Sequence, residues 1–433
     1  MERAPEAASG SVTFAISACT GLTRAVTDRV EGAQGRRLPA GFLARAALVM
    51  ILAAGLAGWS GMTRHSMAEA QDSAASAIPA PATLMPEIPN LDLWRQSPHA
   101  NITREAFRHW DTEDDKMIPE TCSKCHSTAG FMDYLGADGS AAGVVDVKHS
   151  PDPAVAPGIA CMACHNEVSQ HMTSVTFPSG VEQEVFTPDV RCMTCHGGRA
   201  STVQVNEAIE KAGVANDDTA SAEIEFVNIH YRAAAATRFG GEVHGGFEYD
   251  GQEYAGYYFH DRDSQTCNDC HSPHTLKVKV NTCAECHDEV VGDDKKSLQL
   301  IRTSKADFDG NGDTSEGIYA EIQTVHDQLL LAIQGYGKDV VGTAVAYDKD
   351  AYPYFFQDSD GSGAIEEGEA KFPNRYQGFT PRMLKAAYNY QVVAKDPGAY
   401  THNAYYVLQL MQDSIADLST AGSGVEMSGA RPK

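Results

Sequence analysis

Residues 267–274 read Cys267-Asn-Asp-Cys270-His271-Ser-Pro-His274, and the first five of them are one copy of a pattern that recurs through the middle of the chain. The other copies are Cys122-Ser-Lys-Cys125-His126, Cys161-Met-Ala-Cys164-His165, Cys192-Met-Thr-Cys195-His196 and Cys283-Ala-Glu-Cys286-His287. For 11 Cys and 16 His in 433 positions, chance supplies about 0.01 such patterns. Ten of the eleven cysteines belong to the five copies, and the eleventh, Cys19, lies far upstream.

The spacing has a chemical meaning. Two thiols three positions apart can each add to one vinyl group of the same haem, and the adjacent histidine is then held beneath the iron as proximal ligand. Zinc wants four ligands per site and gives no reason for a histidine after every second cysteine. Five Cys-x-x-Cys disulfides would be strained and redox-active. The expected cofactors are therefore five haem c groups, and with Cys19 in the leader the mature chain needs neither a free thiol nor a disulfide. First cysteines are separated by 39, 31, 75 and 16 residues, too little protein to bury each macrocycle alone, so porphyrins are expected to pack on one another.

Each iron needs a sixth ligand or an open site. Removing the five proximal histidines and His65 of the leader leaves ten: His99, His109, His149, His171, His230, His244, His260, His274, His326 and His402. The favoured distal ligands are His109, on a helical stretch before the first motif; His230, opening an Ala-rich run; His260, seven residues before Cys267; His274, which Pro273 turns towards a neighbouring haem; and His402. Met162, Met172 and Met193 are second choices.

The rest of the chain sets compartment and domains. Asp and Glu exceed Lys and Arg by 58 to 34, for a formal charge of -24, which excludes a role built on nucleic-acid phosphates. Residues 42–59 are apolar apart from Arg45 and lead to Met67-Ala-Glu-Ala70, so 1–70 reads as a cleaved signal sequence, or alternatively as a single membrane anchor. Residues 71–87 form a linker, 88–292 a pentahaem domain, 293–420 a helical domain and 421–433 a polar, disordered tail. Helical spacing marks Ile318 to Ile333, Met383 to Tyr390 after Thr380-Pro381, and Val407 to Leu418. A helical run over 221–238, a hairpin about Asp250-Gly251 and a strand through Leu276, Val278 and Val280 fill the haem region. The fold class is mainly α with little β.

Two acidic loops in the helical region suggest calcium. Asp358, Asp360, Ser362 and Glu366 fall at loop positions 1, 3, 5 and 9, with Gly363 at 6 and a bidentate candidate, Glu369, at 12. Asp307, Asp309, Asn311 and Asp313 open a second loop in the same way, but its twelfth residue is Ile318, leaving Glu316 or Glu321 as substitutes. These loops would make the second domain EF-hand-like.

With these residues assembled, the sequence resembles the multihaem c-type cytochromes of bacterial respiratory chains, and among them the polyhaem cytochromes of the periplasm and outer surface. The resemblance rests on the five motifs, on Cys270-His271-Ser-Pro-His274 and on Gly398-Ala-Tyr-Thr-His402-Asn, and covers 88–418. It implies an exported electron carrier, with no catalytic residue, acting between redox-partner proteins or external donors and acceptors. Assembly into a larger cytochrome complex or filament is compatible with it. The alternative is a reductase of a small oxyanion or nitrogen compound at one open-site haem; the Cys-x-x-Cys-Lys motif of pentahaem nitrite reductases does not occur.

Overall fold

The computed structural model describes residues 87–152 and 158–433. The signal sequence, residues 42–59, Cys19 and nearly all of the linker lie outside this range. Residues 85–433 form one compact unit. Among the described residues no helix is long and apolar enough to cross a membrane.

The haem motifs are carried on and among short helices of one to two turns: α1 (Glu120–His126), α2 (Thr128–Tyr134), α3 (Cys161–Cys164), α4 (Asp189–His196), α5 (Ala234–Phe239) and α6 (Cys267–Cys270). A small antiparallel ribbon, β1 (Ser174–Thr176) with β2 (Glu182–Glu184), sits among them in the register Val175↔Gln183. Most of these helices are too short to persist alone and depend on what they pack against.

The C-terminal part is a bundle of α7 (Ile318–Tyr336), α8 (Pro381–Lys395) and α10 (Ala404–Thr420), with the one-turn α9 (Ala399–His402) leading into α10. Its starts follow from local chemistry. Thr380 caps α8, accepting a hydrogen bond from the Met383 N–H at 3.1 Å, and Pro381 takes the first helical position, where no donor is needed. Asn403 caps α10 through the Tyr406 N–H. The predicted apolar stripes face one another: Leu329, Ile333, Met383, Leu384, Leu410 and Ile415 are fully buried, each side chain worth about 1.5–3 kcal/mol of transfer free energy.

Three local expectations are overturned. The helix expected from 221 begins only at Ala234, because His230 (φ 77°) and Arg232 (φ 59°) adopt left-handed conformations that break it. The hairpin about Asp250-Gly251 is absent; residues 245–257 form a strap whose backbone is satisfied by side chains of the bundle. Asn389 accepts from the Phe247 N–H (2.7 Å) and donates to the Phe247 carbonyl (2.9 Å), Tyr388 donates to the Gly245 carbonyl, and Gln409 accepts from the Ala255 N–H. The strand through 276–280 reduces to a single bridge, His271↔Val278, since Val280 begins a helix.

The boundary at 292 does not separate two cores. One apolar cluster runs from Val175 to Leu418 and includes Phe239, Phe247, Leu329 and Leu410. The tail, expected to be disordered, is bound: Arg431 pairs with both carboxylate oxygens of Asp413, and the Ala430 N–H donates to the Asp307 carbonyl. Its polar composition hid these specific partners.

The EF-hand architecture is also corrected. Loop 358–369 follows β4 (Phe355–Gln357), which pairs with β3 (Val345–Tyr347), and Phe356 bridges Arg375 beyond the loop. The loop therefore closes on extended chain. Pro373 lies in a 3-10 turn where an exiting helix would start.

Candidate functional site

One turn of helix explains the motif's geometry. Residues three and four apart share a helix face, so both thiols and the histidine project the same way. The His165, His271 and His287 N–H groups donate to the carbonyls of Cys161, Cys267 and Cys283 at 2.8, 2.8 and 3.0 Å, closing that turn in three motifs. Neighbouring motifs are locked together as well. Asp189, at the start of α4, accepts from the Cys267 N–H with both oxygens at 3.0 Å and faces Arg238. Burial raises the Asp189 carboxyl despite these donors. The Cys125 thiol lies beside Cys195, which donates to the Lys124 carbonyl, and the Cys192 thiol lies beside Cys267. The first and third motifs are thus neighbours, as are the third and fourth.

All five motifs open on one continuous cavity of about 2240 Å³, lined by Cys122, Cys164, Cys195, Cys270 and Cys286 among others. Sites for one small ligand span roughly 300–1,000 Å³, so this space is made for several groups.

The motif histidines come in pairs with others, and His126/His230, His196/His99 and His287/His260 line this space. Ring centroids are separated by 5.8 Å for His126 and His230, 6.2 Å for His165 and His274, 6.4 Å for His196 and His99, and 6.1 Å for His287 and His260. A metal–imidazole bond of about 2 Å on each side, plus about 1.1 Å from nitrogen to ring centre, requires roughly 6.2 Å. The residues therefore fit a six-coordinate iron held between two imidazoles. His271 lines the cavity near His402, close enough for their charges to interact.

Burial favours the neutral, metal-binding form of five of these rings. It holds His99 and His230 down to about 4, with a second imidazole adding to the effect, and it lowers His126, His196 and His271. Several rings are oriented through Nδ1: His126 against the Ala106 carbonyl (2.7 Å), His196 against the Arg232 carbonyl (2.9 Å) and His402 against Asp396.

The ten spare histidines sort into two groups of five. His99, His230, His260, His274 and His402 face proximal histidines. The other five have their own partners: His109 pairs with Glu105 (2.8 Å), His149 with Asp133, His171 with the Glu167 carbonyl, His244 with Glu248, and His326 stacks on Tyr390 at 3.9 Å. His109, favoured from the sequence, lies against Glu105, whereas His99 faces His196. His109 lies four residues after Glu105 on the same helical face, so the carboxylate captures it locally. Position Gly158 fixes His99: a Cβ there would lie 2.4 Å from the His99 carbonyl oxygen, which accepts from the Ile159 N–H. A glycine at positive φ (81°) and a histidine 97 residues before its partner leave no local signal.

The acidic loops are organised alike. Asp307 accepts from the Gly310 and Gly312 N–H groups, and Asp358 from those of Gly361 and Gly363. Carboxylate oxygens of Asp307, Asp309 and Glu321 converge within 4.8 Å of one another. Glu321, one of the two candidate substitutes, thus joins the first loop, while Glu316 accepts from Asn311 and Asp313 from Ser315. Glu369 accepts from the Ser359 and Glu366 N–H groups, and Asp360 from that of Ser362.

The chain is similar to known proteins in sequence. It is 24% identical to the C-type polyheme cytochrome OmcB of Geobacter sulfurreducens over 73% of this chain and 46% of OmcB. The C-type polyheme cytochrome OmcC of the same organism is 24% identical, with 44% of its length covered. The chain spans less than half the length of these curated relatives. No protein-family profile and no solved structure matches. Together with the five motifs and the cavity they share, this homology supports a multihaem c-type cytochrome.

Proposed function

We propose that the chain is an exported five-haem electron carrier, working in the periplasm or at the outer surface between redox partners in anaerobic or extracellular respiration. The carrying observation is the pairing of imidazoles, all but His165 and His274 lining one shared cavity. The thiols of Cys122/Cys125, Cys161/Cys164, Cys192/Cys195, Cys267/Cys270 and Cys283/Cys286 would attach the haems. The axial pairs would be His126/His230, His165/His274, His196/His99, His271/His402 and His287/His260. Haem, when bound, supplies a one-electron iron couple. The chain holds the rings, excludes solvent and sets the order of neighbours.

Pairing of every proximal histidine favours transfer over catalysis, because a reductase needs one open position. The acidic surface would steer basic partners or metal ions to it. The loops at 307–321 and 358–369 would take calcium as structural braces, through Asp307, Asp309 and Glu321 in the first and Asp358, Asp360, Ser362 and Glu369 in the second.

Haem quantification with optical and EPR spectra of the purified holoprotein, with and without carbon monoxide, tests the reading. It requires five haems per chain, all low-spin and indifferent to the gas. One high-spin, gas-binding haem would overturn it in favour of the reductase.

A further inference from the structure

Asp396 is a buried carboxylate with an unusual address. It is 3% exposed, follows the end of α8 and sits six residues before His402, whose Nδ1 lies 2.9 and 2.8 Å from its two oxygens. The Gly398 N–H donates to the same carboxylate at 3.1 Å, and Thr237, whose hydroxyl donates to the Ala233 carbonyl at 3.4 Å, lies beside it. The His402 ring is pressed against Gly398, where a Cβ would approach Cε1 to 2.6 Å. Asn403 next to it caps α10 and donates to the Gly256 carbonyl at 2.9 Å. The ring is fixed from three sides.

The other axial candidates with a described Nδ1 hydrogen bond, His126 and His196, use neutral backbone carbonyls. A carboxylate on Nδ1 differs in kind. It draws the Nδ1 proton towards itself, makes Nε2 a stronger donor and so favours the more positive oxidation state of any iron bound there. Hydrogen bonding beyond the ligands is one of the levers by which a protein sets haem potentials.

We propose that Asp396 is a positioning residue that acts through His402 to make the haem of the fourth motif more reducing than its ligand set alone would. This rests on the assignment of His402 as the axial partner of His271. The fourth motif adjoins the third through Asp189 and through the Cys192 and Cys267 thiols, so the low potential falls between the third and fifth motifs in the chain's order. The energetic profile would be uneven there.

The test is a spectroelectrochemical titration of the full-length holoprotein at fixed pH. In Asp396→Asn, one of the five one-electron components moves to higher potential by about tenfold in its equilibrium constant, or about 59 mV, while Asp396→Glu restores it. Asp396→Ala, which removes the acceptor altogether, moves the same component in the same direction. The smaller side chain fits within the space of the wild-type one, so this arm stands if the Asn variant fails to load haem. Absence of a shift in both variants, or an equal shift of all five components, overturns the proposal. His402→Ala separates this failure from that of the ligand assignment: with His402 axial, one haem becomes high-spin and gas-binding, and without it all five spectra stay low-spin.

Discussion

Replacing His99 by alanine, alongside His109→Ala, sets the three-dimensional reading against the local one. His99 faces His196 at 6.4 Å with the rings within 22° of parallel, whereas the His109 side chain is 63% exposed and bound to Glu105. The His99 backbone is held by the Ile159 N–H and by close approach to Gly158, so truncation removes the imidazole and leaves the chain where it is. One iron in five then lacks its sixth ligand. One fifth of the ferric low-spin EPR intensity should convert to an axial high-spin signal, and the reduced protein should bind one carbon monoxide per chain. His109→Ala removes only an exposed ion pair, worth about 0–1 kcal/mol, and should bind none. Gas titration of the reduced holoproteins, normalised to haem content, reads both. The reasoning fails if His99→Ala stays fully low-spin, or if His109→Ala gains the gas-binding site.

Asn389→Ala strips the partner from the buried Phe247 N–H and C=O groups, and at about 1–3 kcal/mol per orphaned group should destabilise the holoprotein by about 2–6 kcal/mol in denaturant unfolding without changing haem content. Calcium at a hundredfold over its Kd should stabilise the wild type by about 2.7 kcal/mol per loop; Asp307→Asn and Asp358→Asn should each lose one share, and equal melting with and without chelator would remove calcium from the account. Lys395 is buried against Tyr231 and Tyr354, its ammonium donating to the Lys349 carbonyl, and burial lowers it to about 8. Between about 8 and its ordinary value the unfolded chain binds the proton that the folded chain has lost, so stability from this group rises with pH over that window. Wild type minus Lys395→Met unfolding free energy should therefore increase from pH 8 to 10, and a flat or falling difference would count against it.

The parts of this molecule that declare themselves in sequence are those decided within a few residues. A cysteine pair and its histidine need one helical turn, and Thr380-Pro381 or the stripe from Ile318 to Ile333 needs only its own helix. What escapes is set by distant partners. His99 meets His196 only because chain near Gly158 lies against it. The strap at 245–257 carries hairpin chemistry at Asp250-Gly251, yet Asn389 and Gln409 satisfy backbone groups that a second strand would have taken. The tail reads as disordered because Asp413, which holds Arg431, is nearly twenty residues away. The EF-hand spacing of 358–369 fixed the loop's carboxylates but said nothing of flanking helices, which the Phe356 to Arg375 bridge replaces with extended chain.

The joint between strap and bundle bears on how such a protein is made. A polypeptide leaves its translocation channel amino end first, so the Cys-x-x-Cys-His segments emerge while Asn389, Tyr388 and Gln409 are still to come. Thioether attachment can then proceed on open chain. His402 would be the last of the five proposed distal rings to arrive, carried on the same segment that seats the strap. In the proposed carrier the bundle is therefore a closing part as well as a foundation: its docking would deliver the final imidazole.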